Sequence, residues 1–469
     1  MQIPIINGIY TNSESDFRVA YPRNLVPVPQ DSGISSGYLR PADGIQFFTD
    51  GIGLDRAGIN WNGIMYRVSG NRLIRVFEDG TVEELGAITG NDQATIDYSF
   101  DRLAISADNK LYYYNDIFGL QQVIDSDLQD VKHFIWIDGY FMTTDGEFLI
   151  VTDLNDPFSV NPLRYGSSEV DPDPILALLK IRNEATALNR YSIETFENVG
   201  GTGFPFSRIE GAQVQKGVVG TKACCEYIEA IAFMGSGRNE SISVYLGGGG
   251  RTTKLATREI DQIISKYTEE QLSTVQLEAR THEGLQHLYI HLPNQTLVYD
   301  AATSQVVGQP VWFTKDSSKV PDVISRYRGR NVTYCYSKWF VGDTETSAIG
   351  TLEQTTGEHW GSKTNWEFST SIVYNNGVGL LFYELELVAL TGRTTLGASP
   401  TVATSYTNDG VTWSQPKYRR VGTTGDRDKR IMWLNQGSMR HWRAQRFQGT
   451  SECRLSTARL EAKVEQLGV

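Results

Sequence analysis

Two histidines four residues apart, His287 and His291, are the nearest this chain comes to a metal-ligand pair. That spacing brings two imidazoles to one ion when it lies on a helix. Gln286-His-Leu-Tyr-Ile-His-Leu292 alternates instead like a strand, where such residues share a face but stand about 13 Å apart. With no Cys or acidic residue at matching spacing, two histidines on the polar face of a strand are expected. Gly247 to Gly250, with Lys254 downstream, suggest a phosphate cradle. A phosphate loop needs G-x-x-x-x-G-K-[ST], and Thr252-Thr253 separate Arg251 from Lys254, so a flexible loop between a strand and a helix is expected. Asp171-Pro-Asp-Pro174 and Asp153-Leu-Asn-Asp156 offer carboxylates to calcium, but neither forms the D-x-[DN]-x-[DN]-G loop, and turn chemistry suffices. The four cysteines, at 224, 225, 335 and 453, form no CxxC and no metal-ligand spacing. They are expected as reduced apolar fillers, with Cys224 and Cys225 on opposite faces of a strand. No catalytic, cofactor-binding or metal residue is assigned, and the chain is not expected to be an enzyme.

Thr407-Asn-Asp-Gly-Val-Thr-Trp413 looks like an Asp-box, the hairpin turn of sialidase propellers, which is structural there and far from the catalytic centre. It occurs once, and neither an arginine triad, a Tyr nucleophile nor an acid Asp can be assigned to go with it. A carbohydrate-binding or carbohydrate-cleaving propeller is therefore the alternative reading.

The elements that must hold such residues are mostly strands. Forty-five Gly and 23 Tyr in 469 residues favour short strands joined by tight turns. A chain of this length exceeds one ordinary core. The formal charge of −12 argues against a protein that grips nucleic acid by its phosphates, and a basic patch, if present, belongs at Arg419-Arg420 or Arg427 to Arg446. The N-terminus lacks a basic n-region and a long apolar core, so no signal peptide is expected, and no apolar run reaches the ~20 residues of a membrane helix.

Residues 1–50, with Pro4, Pro22, Pro27, Pro29 and Pro41, read as an extended N-terminal arm that lies across another surface. Gly33, Gly37 and Gly44 mark turns in it. Residues 51–320 then contain six units of three or four short strands, roughly 35 to 45 residues apart, which predict a mainly β fold with a β-propeller of about six blades. Asp79-Gly80 is a strong hairpin signal within the first unit. One helical insertion near 257–275 interrupts them: Ile260, Ile263, Ile264 and Tyr267 share a face, and Thr268-Glu-Glu-Gln271 has capping-box form. Residues 321–375 read as a connecting region that could close the propeller, and 376–469 as a C-terminal β-sandwich. There Leu381, Tyr383, Leu385 and Leu387 alternate with Phe382, Glu384 and Glu386, predicting one apolar and one mainly acidic face.

Several stretches carry a family likeness. Val214-Gln-Lys-Gly-Val-Val-Gly220, Ile260 to Tyr267 with Thr268-Glu-Glu, and His291-Leu-Pro-Asn with Leu297-Val-Tyr-Asp300 resemble the packaged-DNA stabilisation proteins of short-tailed bacteriophages. These are the tail accessory factors that build the tail nozzle. Ser36-Gly-Tyr-Leu-Arg40 with Gly44-Ile45, Val151-Thr-Asp-Leu154 with Arg164-Tyr165, Ser192-Ile-Glu194 with Phe196, and Trp433, Gly437 and Arg440 extend the likeness along most of the chain. Where that family tends to read Pro-Gly-Ile, this chain has Asp43-Gly44-Ile45, and 310–380 matches poorly. The resemblance implies a virion tail component assembled in the host cytoplasm, in a ring of six copies beneath the portal and its adaptor. Such a ring retains the packaged genome, carries tailspikes or fibres and a tail needle or plug, and lets DNA pass without sequence-specific binding. It also implies subunit contacts made by the arm and by Phe382–Leu387.

Overall fold

The computed structural model describes residues 1–5, 8–11, 17–29, 35, 37–154 and 156–467. Gly33, Ser36 and Asn155 lie outside the described residues. Seven antiparallel sheets of four or five strands follow one another around a closed ring, and two further sheets form a sandwich beside it. The first six ring sheets span Asp55–Ala87, Thr95–Gln122, His133–Ser167, Ile175–Arg208, Gly217–Lys254 and Gln276–Lys315. Closure is visible in the innermost strands, which pack in succession: Asp55–Trp61 touches Thr95–Tyr98 on one side and Gly329–Cys335 on the other. Apolar residues of neighbouring sheets share common clusters, such as Val68, Leu73, Leu103 and Tyr112 between the first and second.

The six expected units become six of these sheets. The seventh takes its inner three strands, Gly329–Cys335, Lys338–Asp343 and Ala348–Glu353, from the expected connecting region. Its outermost strand is Gly44–Asp50, from the expected arm. Pairing the two ends of the ring segment in one sheet replaces a covalent closure with a hydrogen-bond ladder. The entry to that ladder is tight: a Cβ on Gly44 would lie 2.6 Å from Thr356 O and 2.7 Å from Glu358 O. Only glycine fits there.

The rest of the arm is also structural. Leu25–Pro29 and Gly37–Pro41 begin a sandwich sheet that continues through Ser456–Gln466, Leu380–Leu390 and Ile431–Leu434, with Gln2–Ile3 on the Ser456–Gln466 strand. Pro27 and Pro29 are tolerated because their strand is the sheet's edge. The facing sheet runs Asn365–Ser369, Trp442–Thr450, Thr401–Thr407, Lys417–Arg420, so the sandwich begins before residue 376. Between the sheets, Phe368 stacks on Phe447 at 5.1 Å and Trp433 packs on Phe447 at 5.6 Å. Leu25 and Leu39 are 1% and 0% exposed in this same core, so the arm completes the sandwich of its own chain.

The register of Leu380–Leu390 against Ser456–Gln466 shifts at two points, Phe382/Glu384 and Val388/Ala389. The first interrupts the alternation of the strand. Phe382, Leu385 and Leu387 therefore all face the core, while Tyr383 turns outward. Glu384 pairs with Lys463 and Glu386 with Arg430, and the strand lies between two partners. Both edges of the strand are therefore used within the chain, and only the outward face of Tyr383, Glu384 and Glu386 is left for the subunit contact expected of Phe382–Leu387.

Helices α1 (Arg258–Ile264) and α2 (Glu269–Ser273) stand between the fifth and sixth ring sheets, as the periodicity predicts. The Thr268 side chain accepts from Gln271 N while the Gln271 side chain accepts from Thr268 N, completing the capping box. Ile260 and Ile264 bury their side chains against the fifth and sixth sheets beside Val244 and Leu288. A third helix, α3 (Ala301–Val307), was not anticipated; Gly308 ends it at φ 73°.

Candidate functional site

A cavity of about 450 Å³ runs along the ring axis, lined from all seven inner strands and the turn before the fifth. Its ionisable side chains come from different sheets. Lys222 donates to Thr95 Oγ1 at 2.6 Å, and burial drives its ammonium down to about 8. Glu278 accepts Asn331 N at 2.8 Å and Val332 N at 3.2 Å, yet burial still raises it to about 7. Asp97 accepts Trp136 N at 2.8 Å, and burial raises it too. His133 Nδ1 accepts Leu178 N at 3.3 Å, and burial holds the ring neutral. Burial likewise pushes the Cys224 thiol up to about 12, far from a thiolate at neutral pH. Asp97, His133 and Glu278 spend their hydrogen bonds on the neighbouring inner strand, and Lys222 spends one across the axis on the second sheet. Among the described residues none forms a nucleophile and base pair in the cavity; what the arrangement does is brace the inner ring.

Glu278 also sets a pH dependence. Its folded pKa is raised, so its contribution is fully present below the unfolded value of about 4.5 and is lost as pH rises through about 7. Lys315, lowered to about 7 by burial, contributes the opposite slope over the neutral and alkaline range. The difference between parent and variant isolates Glu278: in Glu278→Gln the melting temperature should fall less between pH 5 and pH 8 than in the parent. Parallel curves would refute the assignment.

A second cluster ties the arm to the ring. Asp43, between the sandwich strand Gly37–Pro41 and the closing strand Gly44–Asp50, receives Arg280 Nη1 at 2.7 Å and lies 3.8 Å from Arg40. Burial opposes its charge, but Arg280 and Lys315 outweigh burial and hold it at about 2. The Lys315 ammonium sits 4.2 Å from the Tyr327 ring centroid, and the Arg280 guanidinium 5.4 Å from that of Trp339. Beside this cluster a cleft of about 860 Å³ separates ring from sandwich, with Arg40, Arg393 and Arg454 in its wall.

His287 and His291 share the strand Leu285–His291, but both are buried, and burial drives each down to about 3. Their face does carry the charged neighbours Asp43, Arg280, Lys315 and Glu278, opposite Leu288 and Ile290, but it is covered within the fold instead of facing solvent. Gly247–Gly250 close a β-hairpin between Ser243–Gly248 and Arg251–Lys254 instead of a strand-to-helix loop. Gly249 and Gly250 have φ 55° and 76°, and a Cβ on Gly250 would meet Gly211 O at 2.4 Å. Asp171 is held by Arg238, Asp173 by Tyr191 N, and Asp153 by Arg164 and Ser159. Asp409 accepts Val411 N and Thr412 N at 2.9 and 2.8 Å, the structural turn expected of an Asp-box. The four cysteines are free, and among the described residues no three His, Cys, Asp or Glu converge as metal ligands. Sequence reasoning missed the Asp43 cluster and the axial lysine, because neither has a local pattern. The one signal was Asp43 itself, a carboxylate where the resembled family reads proline.

No helix among the described residues is long and apolar enough to cross a membrane. Comparison with known proteins follows the two-part architecture. The family described as "Bacteriophage P22 Gp10, beta-propeller" matches residues 1–357, and that described as "Bacteriophage P22 Gp10, beta-sandwich" matches 365–465. The "Tail hub protein gp10" of Salmonella phage P22 is 26% identical over 460 residues, covering 94% of each chain. Among solved structures, the Neurospora crassa Pan2 WD40 domain overlaps at TM-score 0.42 with 7% identity, covering 67% of this chain and 96% of its own. A Saccharomyces cerevisiae complex of Dbp5 bound to Nup159 overlaps at 0.41 with 9% identity, covering 70% and 97%. Overlaps this partial carry no argument. The full-length sequence matches do: with ring and sandwich both recognised in order, this chain belongs to the bacteriophage P22 Gp10 family and is a structural tail protein.

Proposed function

We propose that copies of this chain, six by the family resemblance, form the nozzle or hub ring of a short tail below the portal and adaptor. In the virion, on this reading, the ring closes the channel to retain packaged DNA, anchors tailspike or fibre proteins and the needle or plug, and is assembled in the host cytoplasm. Its role is structural and not enzymatic. The carrying observation is the 94% mutual coverage with the P22 tail hub protein. Two further features support it: the negative charge suits a wall over which DNA slides without gripping, and the axial side chains are committed to bracing strands. Native mass spectrometry and negative-stain imaging of the protein, alone and with portal and adaptor, test it. A closed ring is expected; a persistent monomer that degrades host polysaccharide would overturn it.

A further inference from the structure

Charge is distributed very unevenly along this chain. Residues 78–156, from the outer edge of the first ring sheet through the third, hold seventeen Asp and Glu against three Lys and Arg. Residues 411–446, in the sandwich, hold nine Lys and Arg against two Asp and Glu. The net charge of −12 hides two strong, opposite regions.

Strand order puts these regions at opposite ends of the molecule. The sandwich meets the ring at the sixth and seventh sheets, where Leu25–Pro29 packs on Val311–Lys315 and Gly44–Asp50 closes the ring. Leu25–Pro29 and Asn365–Ser369 are the sandwich's ring-side edges, whereas Ile431–Leu434 and Lys417–Arg420 are its far edges. All four residues of Lys417–Arg420 are exposed, Arg427 and Lys429 follow in the next loop, and Tyr418 and Leu434 add exposed apolar surface. Across the ring axis, on the second sheet, Phe100, Ile117 and Phe118 are 88%, 84% and 68% exposed. They occupy turns at one end of the second sheet, beside the exposed carboxylates Asp101 and Asp116. Each end thus offers apolar side chains within a region of mainly one sign, although Asp101 and Asp116 pair with Arg102 and Arg75 and Arg430 pairs with Glu386, and the two prevailing signs are opposite.

We infer that the basic far edge of the sandwich docks on the acidic, aromatic turns of the second ring sheet of a second copy. A patch at one end meeting a different patch at the other end is a heterologous contact, which repeats until rotation closes a ring. This deepens, and rests on, the ring assembly proposed above, by naming the surfaces that make it. Opposite charge on the two surfaces also disfavours like-to-like pairing of either end.

The test uses two charge-reversed full-length variants. Arg420→Glu/Arg427→Glu reverses the basic edge, and Asp101→Lys/Asp116→Lys reverses the acidic turns. Each variant alone should lose ring formation by at least tenfold in the concentration needed, while its monomer keeps the parent far-ultraviolet spectrum. Mixed one to one, they should recover mixed rings, because each reversed edge now matches the other variant's reversed turns and each unreversed pair is intact. Rings from either variant alone at the parent concentration would overturn this contact and leave the ring reading standing. Failure of the unaltered chain to form rings, even with portal and adaptor, would sink the ring reading itself. Rings unaffected by Arg420→Glu/Arg427→Glu, together with its loss of salt-sensitive duplex DNA binding, would reassign the basic edge to nucleic acid.

Discussion

Deleting residues 1–50 abolishes cooperative folding of the whole chain, not merely an appendage. The deletion takes the outer strand from the seventh ring sheet, paired from Gly44 with Glu353 to Asp50 with Ala348. It also takes three strands of one sandwich sheet, Gln2–Ile3, Leu25–Pro29 and Gly37–Pro41. Ile3, Ile5, Leu25, Leu39 and Ile45 are all buried to within 4% exposure. At about 1.5–3 kcal/mol for each fully buried aliphatic side chain, their loss rivals the ~5–15 kcal/mol net stability of a typical protein. Circular dichroism during denaturant titration should show no cooperative transition for residues 51–469. Adding a peptide of residues 1–50 should restore it, because the contacts are non-covalent. A truncated chain that unfolds cooperatively within about 1 kcal/mol of the parent would mean the arm is peripheral.

That expectation marks where sequence reading stopped. Period-2 alternation and turn signals located six of the seven ring sheets because each is built from consecutive strands. The seventh is assembled from residues about 300 apart, and pairing across that separation leaves no local trace. The arm's extended character was legible from its prolines, but not its partner. Leu380–Leu390 was legible as a strand, while its inward face was misread, because one bulge inverts the alternation after Phe382. The helix pair was plain, since capping box and apolar stripe are both local. At the site level the same division holds. The turn glycines and the Asp409 turn announce themselves within a few residues. The ion pair of Asp43 with Arg280 joins residues 237 positions apart and could not be inferred.

Replacing that carboxylate, Asp43→Asn, should cost about 3–5 kcal/mol at neutral pH, because it leaves Arg280 buried without its counter-charge while hardly changing shape. Lys315 adds a recognisable pH signature. Asp43 is what favours its ammonium form, so in the variant its folded pKa falls below the present value of about 7. A lysine with a depressed folded pKa penalises folding fully below that pKa, where both states carry the charge, and the penalty fades as pH rises towards the unfolded value. The variant's deficit is therefore larger at pH 6 than at pH 9, where Lys315 is neutral in both folded proteins and only the Arg280 part remains. At the acid end the sign comes from Asp43. Its folded pKa of about 2 lies below the model value of 3.8, so the stability it contributes is present above 3.8 and lost as pH falls through 2. Parent and variant should thus converge in strong acid. Thermal melts of both proteins from pH 2 to pH 9 would show a deficit that is small in acid, maximal near pH 5 to 6 and partly relieved above pH 8. A deficit independent of pH would mean that Asp43 acts by shape alone, and that its place at the junction of arm, ring and sandwich is not electrostatic.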